Sequence, residues 1–266
     1  MKDYFFEIII KSKEDLIELL GDFFTTSLNE AIEIKKDSLI IRTSDLEKFN
    51  SALNLIDKEI IDDIKIEKRE NIDWIKRYKD SIEPIEIENF YIRPSWHQPK
   101  DGKIDIVIDP ALAFGSGHHP TTANVIKAIS KYIKPNNTLL DVGCGSGILA
   151  LSAAKLGANV DLCDTDPLAI ESAKKNFKLN NENFGNIWLG SANLSQKKYD
   201  MVVANIIADV LVAIKEDLTD RLKKDSILIL SGILDKKENI ILQKYQDLEL
   251  LEKIPQDEWV TLVYKG

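Results

Sequence analysis

Apolar positions along this chain recur in two rhythms, every second residue and every three to four, and the changes of rhythm separate two successive blocks. Residues 4–10 read as a strand, and 14–24 as a helix with Leu16, Leu19, Leu20 and Phe23 on one face and Ser12 as its cap. Two short strands, 31–34 and 38–42, flank Lys35-Lys36-Asp37 as a hairpin. A helix over 44–56 carries Leu46, Phe49, Leu53 and Ile56, and 64–68 alternates as a strand. This βαββαβ order predicts a small ferredoxin-like α+β domain over residues 1–69. A linker helix follows over 70–83, ended by Pro84, with Trp74 and Tyr78 four apart on one face.

The second block, 84–266, alternates strands with helices. Strand-like runs fall at 85–92 and 104–108, and a helix at 121–132. Further strands are read at 139–142, 159–163, 186–189, 201–204 and 227–230, with helices at 168–178, 209–222 and 236–245 between or after them. Two last strands, 248–253 and 259–264, form a hairpin that adds an antiparallel strand. Such alternation predicts an α/β domain, a mostly parallel sheet with helices on both faces.

Composition narrows the function. The 266 residues suffice for one large α/β domain or two smaller ones, and 44% are hydrophobic, the usual share for a chain with a core. No apolar run approaches the roughly 20 residues a membrane helix needs. The N-terminus has acids inside it and no small-residue cleavage site, so neither a membrane nor a signal peptide is expected. The only cysteines are Cys144 and Cys163, too few for a disulfide framework; a reducing, cytoplasmic location is expected. Net charge is −9 without a basic cluster, which argues against direct nucleic-acid binding. The acidity is uneven: residues 1–70 hold 11 Lys and Arg against 17 Asp and Glu, a net of −6. That lobe would attract a basic partner, or serve solubility alone.

Two stretches carry chemistry. In Asp141-Val142-Gly143-Cys144-Gly145-Ser146-Gly147-Ile148 an apolar run ends in a carboxylate, a Gly-x-Gly-x-Gly turn follows, and a helix begins. Strand, tight turn and helix start are how an α/β sheet binds an adenosine-containing cofactor. The dinucleotide fingerprint G-x-G-x-x-G would need glycine where Ile148 stands. Asp164, 21 residues beyond Gly143, closes the second strand and is placed to accept hydrogen bonds from ribose hydroxyls. The other stretch is Asp109-Pro110-Ala111-Leu112-Ala113-Phe114-Gly115-Ser116-Gly117-His118-His119-Pro120-Thr121-Thr122, a polar loop ahead of a helix. Adjacent histidines do not converge on one ion, and His97 is the only other, so no metal is expected.

The glycine turn resembles motif I of the class I, Rossmann-like, seven-stranded S-adenosylmethionine-dependent methyltransferases. The loop before Pro120 is more specific. With Pro94-Ser95-Trp96, Ala204-Asn205-Ile206-Ile207-Ala208 and Ser231-Gly232-Ile233-Leu234, it resembles the ribosomal protein L11 methyltransferase family over nearly the whole chain. Family members usually carry Gly-Thr-Gly-Thr-His-Pro-Thr-Thr, where this chain has Ser116 and His118 in place of the early threonines.

The resemblance implies a class I methyltransferase domain over 84–266 and a substrate-recognition domain over 1–69, joined by a linker that permits reorientation. It implies S-adenosylmethionine as cofactor, held by Thr122, Gly143, Asp164 and Asn205, with Asp141, Gly145 and Phe114 beside them. It implies N-methylation of lysine side chains or the N-terminal α-amine of ribosomal protein L11, taken as the free protein by a cytoplasmic monomer. Asn205 is the candidate for positioning the amine, since its amide can accept an N–H; His119 is an alternative base, or a packing residue. Asn205-Ile206-Ile207-Ala208 lacks the Asn-Pro-Pro-aromatic pattern of enzymes that methylate DNA or glutamine, which favours an aliphatic amine. Other readings stay open: a lysine methyltransferase of another protein, as in the electron-transfer flavoprotein β-subunit enzyme; a cofactor-binding module without turnover; and, least favoured by Ile148, a nicotinamide dehydrogenase.

Overall fold

A computed structural model describes residues 4–28, 32–57, 60–70, 82–108 and 119–266, apart from the side chains of Asp15 and Glu70. The chain divides into two units, Met1–Ile82 and Glu83–Gly266. Residues 71–81, and with them most of the linker helix, Trp74 and Tyr78, lie outside the described residues.

In the first unit the order is β1 (Tyr4–Lys11), α1 (Glu14–Leu28), β2 (Ile32–Ile34), β3 (Ser38–Thr43), α2 (Leu46–Leu53) and β4 (Asp63–Glu70). The four strands lie in the order β2-β3-β1-β4, every pair antiparallel. Period-two alternation sends Ile8, Ile10, Leu39 and Ile41 into a core with Phe24 of α1 and Phe49 of α2. The opposite sheet face is a lattice of ions: Glu7 accepts from Arg42 at 3.1 Å and from Arg69 at 3.3 Å. The inward stripe of α1 is Ile17, Leu20, Phe24 and Leu28, so the helix runs past residue 24, where the pattern predicted its end. Leu19, expected inside, is 65% exposed, because it shares the outward side with Glu18 and Asp22. Asp45 accepts from the amide of Lys48 at 3.0 Å and starts α2 later than residue 44.

The second unit opens with β5 (Ile85–Ile87), β6 (Phe90–Arg93) and β7 (Ile104–Val107) in a three-stranded sheet of their own. The single run expected at 85–92 is a hairpin, because Glu88 takes the left-handed conformation, φ 52°, and turns the chain. Next come α3 (Pro120–Tyr132), β8 (Thr138–Val142), α4 (Ile148–Lys155), β9 (Asn159–Asp164), α5 (Pro167–Leu179), β10 (Ile187–Leu189) and β11 (Tyr199–Asn205). The chain finishes with α6 (Ala208–Ala213), α7 (Lys215–Thr219), β12 (Leu222–Leu234), α8 (Glu238–Lys244), β13 (Glu249–Gln256) and β14 (Trp259–Lys265). The one helix expected over 209–222 is two, joined at Ile214, and Leu222 already belongs to β12.

Seven strands form one sheet in the order β10-β9-β8-β11-β12-β14-β13, parallel from β10 to β12 and antiparallel at β14 and β13. Adjacent residues of one strand feed opposite faces. Leu139 and Val203 join the core of α3, α4, α5 and the small sheet, while Leu140 and Val202 join that of α6, α7 and α8. The carboxyl ends of five parallel strands therefore share one edge, where an open α/β sheet binds ligands.

A buried amide ties the small sheet to the large one. The side chain of Asn180, just beyond α5, accepts from the amide of Val107 at 2.8 Å and donates to its carbonyl at 2.7 Å. It thus pairs with the end of β7 as a neighbouring strand would. One turn earlier, Asn176 donates to the carbonyl of Ser146 at 2.9 Å and fixes the glycine turn. Asn180→Ala strands two backbone groups and is expected to lower the unfolding free energy by about 2 kcal/mol or more. Urea denaturation measures this; a change below about 0.5 kcal/mol, the range of an ordinary surface substitution, would contradict the clamp.

Candidate active site

The turn after β8 is made by three residues in the left-handed region, Gly143 (φ 72°), Gly145 (φ 53°) and Gly147 (φ 79°). Side chains resist this conformation, so glycine is required by backbone geometry. The path is fixed by acceptors on β9. The carbonyl of Cys163 takes the amides of Gly143 at 2.9 Å and Cys144 at 3.1 Å. Asp164 Oδ2 takes the amide of Gly145 at 2.9 Å, and its Oδ1 that of Asp166 at 3.0 Å. A Cβ on Gly143 would stand 2.5 Å from Ile206 Cγ2, and one on Gly147 3.0 Å from Ala173 Cβ.

Along the same edge runs a cavity of about 650 Å³. Asp164, Thr165, Asp166, Gly190 and Ser191 line it beyond β9 and β10, and Gly143 and Gly145 line it beyond β8. Asn205 and Ile206 follow at the end of β11, then Gly232 of β12 and Trp259 of β14. His119 and Thr121 reach it from the start of α3. His119 caps that helix: its Nδ1 lies 2.7 Å from Thr121 Oγ1, and its ring meets Trp259 edge-on at 5.0 Å.

Asp141 sits beneath the turn with no exposed surface. Its Oδ2 accepts from the amide of Ala150 at 3.1 Å, and among the described residues its Oδ1 has no partner. Burial pushes this carboxyl up to about 7; the Ala150 amide opposes the shift and the charge of Asp164 adds to it. Burial likewise pushes the Cys163 thiol up to about 12 and raises that of Cys144 too, so neither supplies a thiolate at neutral pH.

Of the residues singled out from the sequence, Gly143, Gly145, Asp164 and Asn205 meet at the cavity. Thr122 and Asp141 stand behind its wall, 1% and 0% exposed. Thr122 reaches it through Asn205, whose Nδ2 donates to Thr122 Oγ1 at 3.3 Å. Phe114 and His118 lie outside the described residues. Trp259, Gly190 and Ser191 carry no local signal that would have marked them; Gly232 stands in the motif Ser231-Gly232-Ile233-Leu234, beyond the strand read at 227–230. Among the described residues no group of three or more His, Cys, Asp or Glu is placed to hold a metal ion, and no helix is long and apolar enough to cross a membrane.

A family model described as ribosomal protein L11 methyltransferase (PrmA) matches residues 9–266. The chain is 47% identical over 274 residues to the ribosomal protein L11 methyltransferase of a Nitratiruptor species, covering 100% of this chain and 98% of the relative. It is 44% identical over 274 residues to that of Campylobacter lari, covering 100% and 99%. Among solved structures, the ribosomal protein L11 methylase of Lactobacillus delbrueckii subsp. bulgaricus superposes with a TM-score of 0.65 at 31% identity, covering 69% of this chain and 98% of that one.

The raised Asp141 carboxyl makes stability depend on pH. Its folded value of about 7 lies above the roughly 3.9 of an unfolded aspartate. The protonated group therefore favours the fold fully below about pH 4, and that contribution is lost as pH rises through about 7. Asp141→Asn keeps an acceptor for Ala150 without a charge. Thermal melts should show the variant gaining stability over the parent as pH goes from about 5 to about 8; a difference independent of pH would contradict the assignment.

Proposed function

The chain belongs to the ribosomal protein L11 methyltransferase family, and on that premise we propose how its cavity serves the methylation of ribosomal protein L11. The protein is an S-adenosylmethionine-dependent methyltransferase of the α/β, class I fold. When bound, the cofactor supplies an electrophilic methyl group on a sulfonium. The chain's own task is then to orient two reactants and exclude water.

The residues at the sheet edge suit that cofactor. Asp164 has each oxygen on one backbone amide and keeps acceptor capacity for ribose hydroxyls. Gly143 and Gly145 bring backbone alone to the cavity and leave the methionine part room that side chains would take. Asp141, with its unpartnered Oδ1, feels the charge of Asp164, and a cation above the turn relieves it. Phe114 and Thr122 complete the cofactor set on the family resemblance, Thr122 acting through Asn205.

Asn205 carries the acceptor side. With Nδ2 committed to Thr122, its Oδ1 is left to accept from an amine and aim the nitrogen lone pair along the cavity. A lysine amine, at about 10.4 in water, must lose its proton first, and the apolar walls of Ile206, Ile207 and Trp259 disfavour its charged form. The target amines are lysine side chains, the N-terminal α-amine, or both.

Residues 1–69 serve as the recognition domain in this reading. A protein that binds ribosomal RNA needs basic surface, and the excess acid of residues 1–70 complements it. Glu14, Glu18 and Asp22 recur every fourth position on the outer side of α1, Glu14 with Lys36 at 3.8 Å, and the basic Arg42 and Arg69 are paired on the sheet. L11 is taken free, before RNA covers its basic faces, by a monomeric enzyme in the cytoplasm.

The observation that carries the reading is Asn205 at the cavity shared with Asp164 and the glycine turn. The enzyme, incubated with methyl-labelled S-adenosylmethionine and free L11, should put label on L11 amines located by mass spectrometry. No label on L11 from a folded, cofactor-bound enzyme would sink it.

A further inference from the structure

Beside Asn205 the sheet is irregular, and the irregularity is aimed at the cavity. Between Leu230, opposite Leu262, and Ile233, opposite Val260, the register of β12 against β14 slips by one residue. Ser231 and Gly232 together face Thr261, which is a β-bulge. Gly232 takes φ 79° and lines the cavity.

The bulge grips the peptide that follows Asn205. The amide of Ile206 donates to the carbonyl of Ser231 at 3.1 Å. A Cβ on Gly232 would stand 2.6 Å from the carbonyl oxygen of Ile206, 2.9 Å from its carbon and 3.1 Å from its nitrogen. These are backbone atoms, so no side-chain rotation relieves the contact. The buried Ser231 hydroxyl lies 2.6 Å from Thr261 Oγ1 and 3.4 Å from the carbonyl of Thr121, linking the bulge to the start of α3. From α3 comes Thr122, which holds the Asn205 amide.

We infer that Gly232 is a positioning residue for the acceptor amine: its bulge fixes the Asn205–Ile206 peptide from one side while Thr122 fixes the Asn205 side chain from the other. This rests on the reading of Asn205 as the amine's acceptor. Gly232 then acts mainly on the transfer step, because Asp164, Gly143 and Gly145 of the cofactor set belong to other strand ends and only Asn205 is shared. The site needs glycine at 232 for the missing Cβ as much as for the positive φ. Asparagine, which tolerates positive φ, is no remedy.

Full-length Gly232→Ala, Gly232→Asn, Ser231→Ala and Asn205→Ala are compared with the parent. Melting temperature and S-adenosylhomocysteine affinity are measured by calorimetry, and single-turnover methyl transfer to free L11 by label. Both Gly232 variants should lose about 100-fold in rate, the scale of a misplacement near 1 Å, with the Kd for S-adenosylhomocysteine within about threefold of the parent. Ser231→Ala keeps the backbone and should lose about tenfold at unchanged Kd, and it decides the matter if the Gly232 variants do not fold. Parent-like rates in the Gly232 variants or in Ser231→Ala, with Asn205→Ala inactive, overturn the inference and leave the acceptor reading standing. A parent-like rate in Asn205→Ala overturns the acceptor reading itself.

Discussion

The carbonyl of Cys163, at the end of β9, accepts two successive amides of the turn that ends β8. That forked acceptor holds the chain in a bend which three residues must complete with positive φ. Much of the site depends on it. The bend sets the amide of Gly145 on Asp164 and so orients the carboxylate at the cavity. It starts α4 at Gly147, whose next turn supplies the amide that pairs with Asp141. It also leaves the cavity floor without side chains where Gly143 approaches Ile206. Cofactor side and acceptor side of the cavity therefore meet across one glycine.

Buried amides and hydroxyls carry this order outward. Asn176 holds the turn through Ser146, and Asn180, four residues on, holds the end of β7. Thr122 and Ser231 do the same on the acceptor side, joining the start of α3 to β11 and β12. Such groups are costly to bury without partners, so each pair fixes a relative position more sharply than apolar packing does. The exceptions among the described residues include Asp141 Oδ1, which belongs to the carboxyl under the turn where a cationic cofactor is read to bind.

The parts of this fold legible in the sequence are those whose side chains obey a period. Strands β8, β9 and β14 and helix α5 follow from short apolar runs, a terminal acid or a proline at the first helical turn. The glycine turn was legible because its conformation admits little else. What was not legible depends on backbone events or distant partners. Glu88 makes a hairpin from what reads as one strand-like run by adopting a conformation that glutamate rarely takes. The extension of β12 through Lys223, Lys224 and Asp225 has no apolar pattern to announce it. Leu19 looked inward because three other leucine and phenylalanine positions nearby did, yet the buried stripe of α1 lies one residue away. At the site, Gly143, Gly145 and Asp164 came from local motifs and Asn205 from the family resemblance, whereas Trp259 arrives only because the last strand runs antiparallel and brings its start to the same edge.

The claim that the turn's geometry makes the cofactor site is tested most directly by equilibrium binding of S-adenosylhomocysteine to Gly143→Ala. The substitution asks alanine to hold φ 72° and places a Cβ 2.5 Å from Ile206 Cγ2. With about 1–3 kcal/mol of strain at stake, the Kd should rise by about fivefold to 150-fold in a variant that still folds. A folded variant that binds S-adenosylhomocysteine as tightly as the parent would contradict the account.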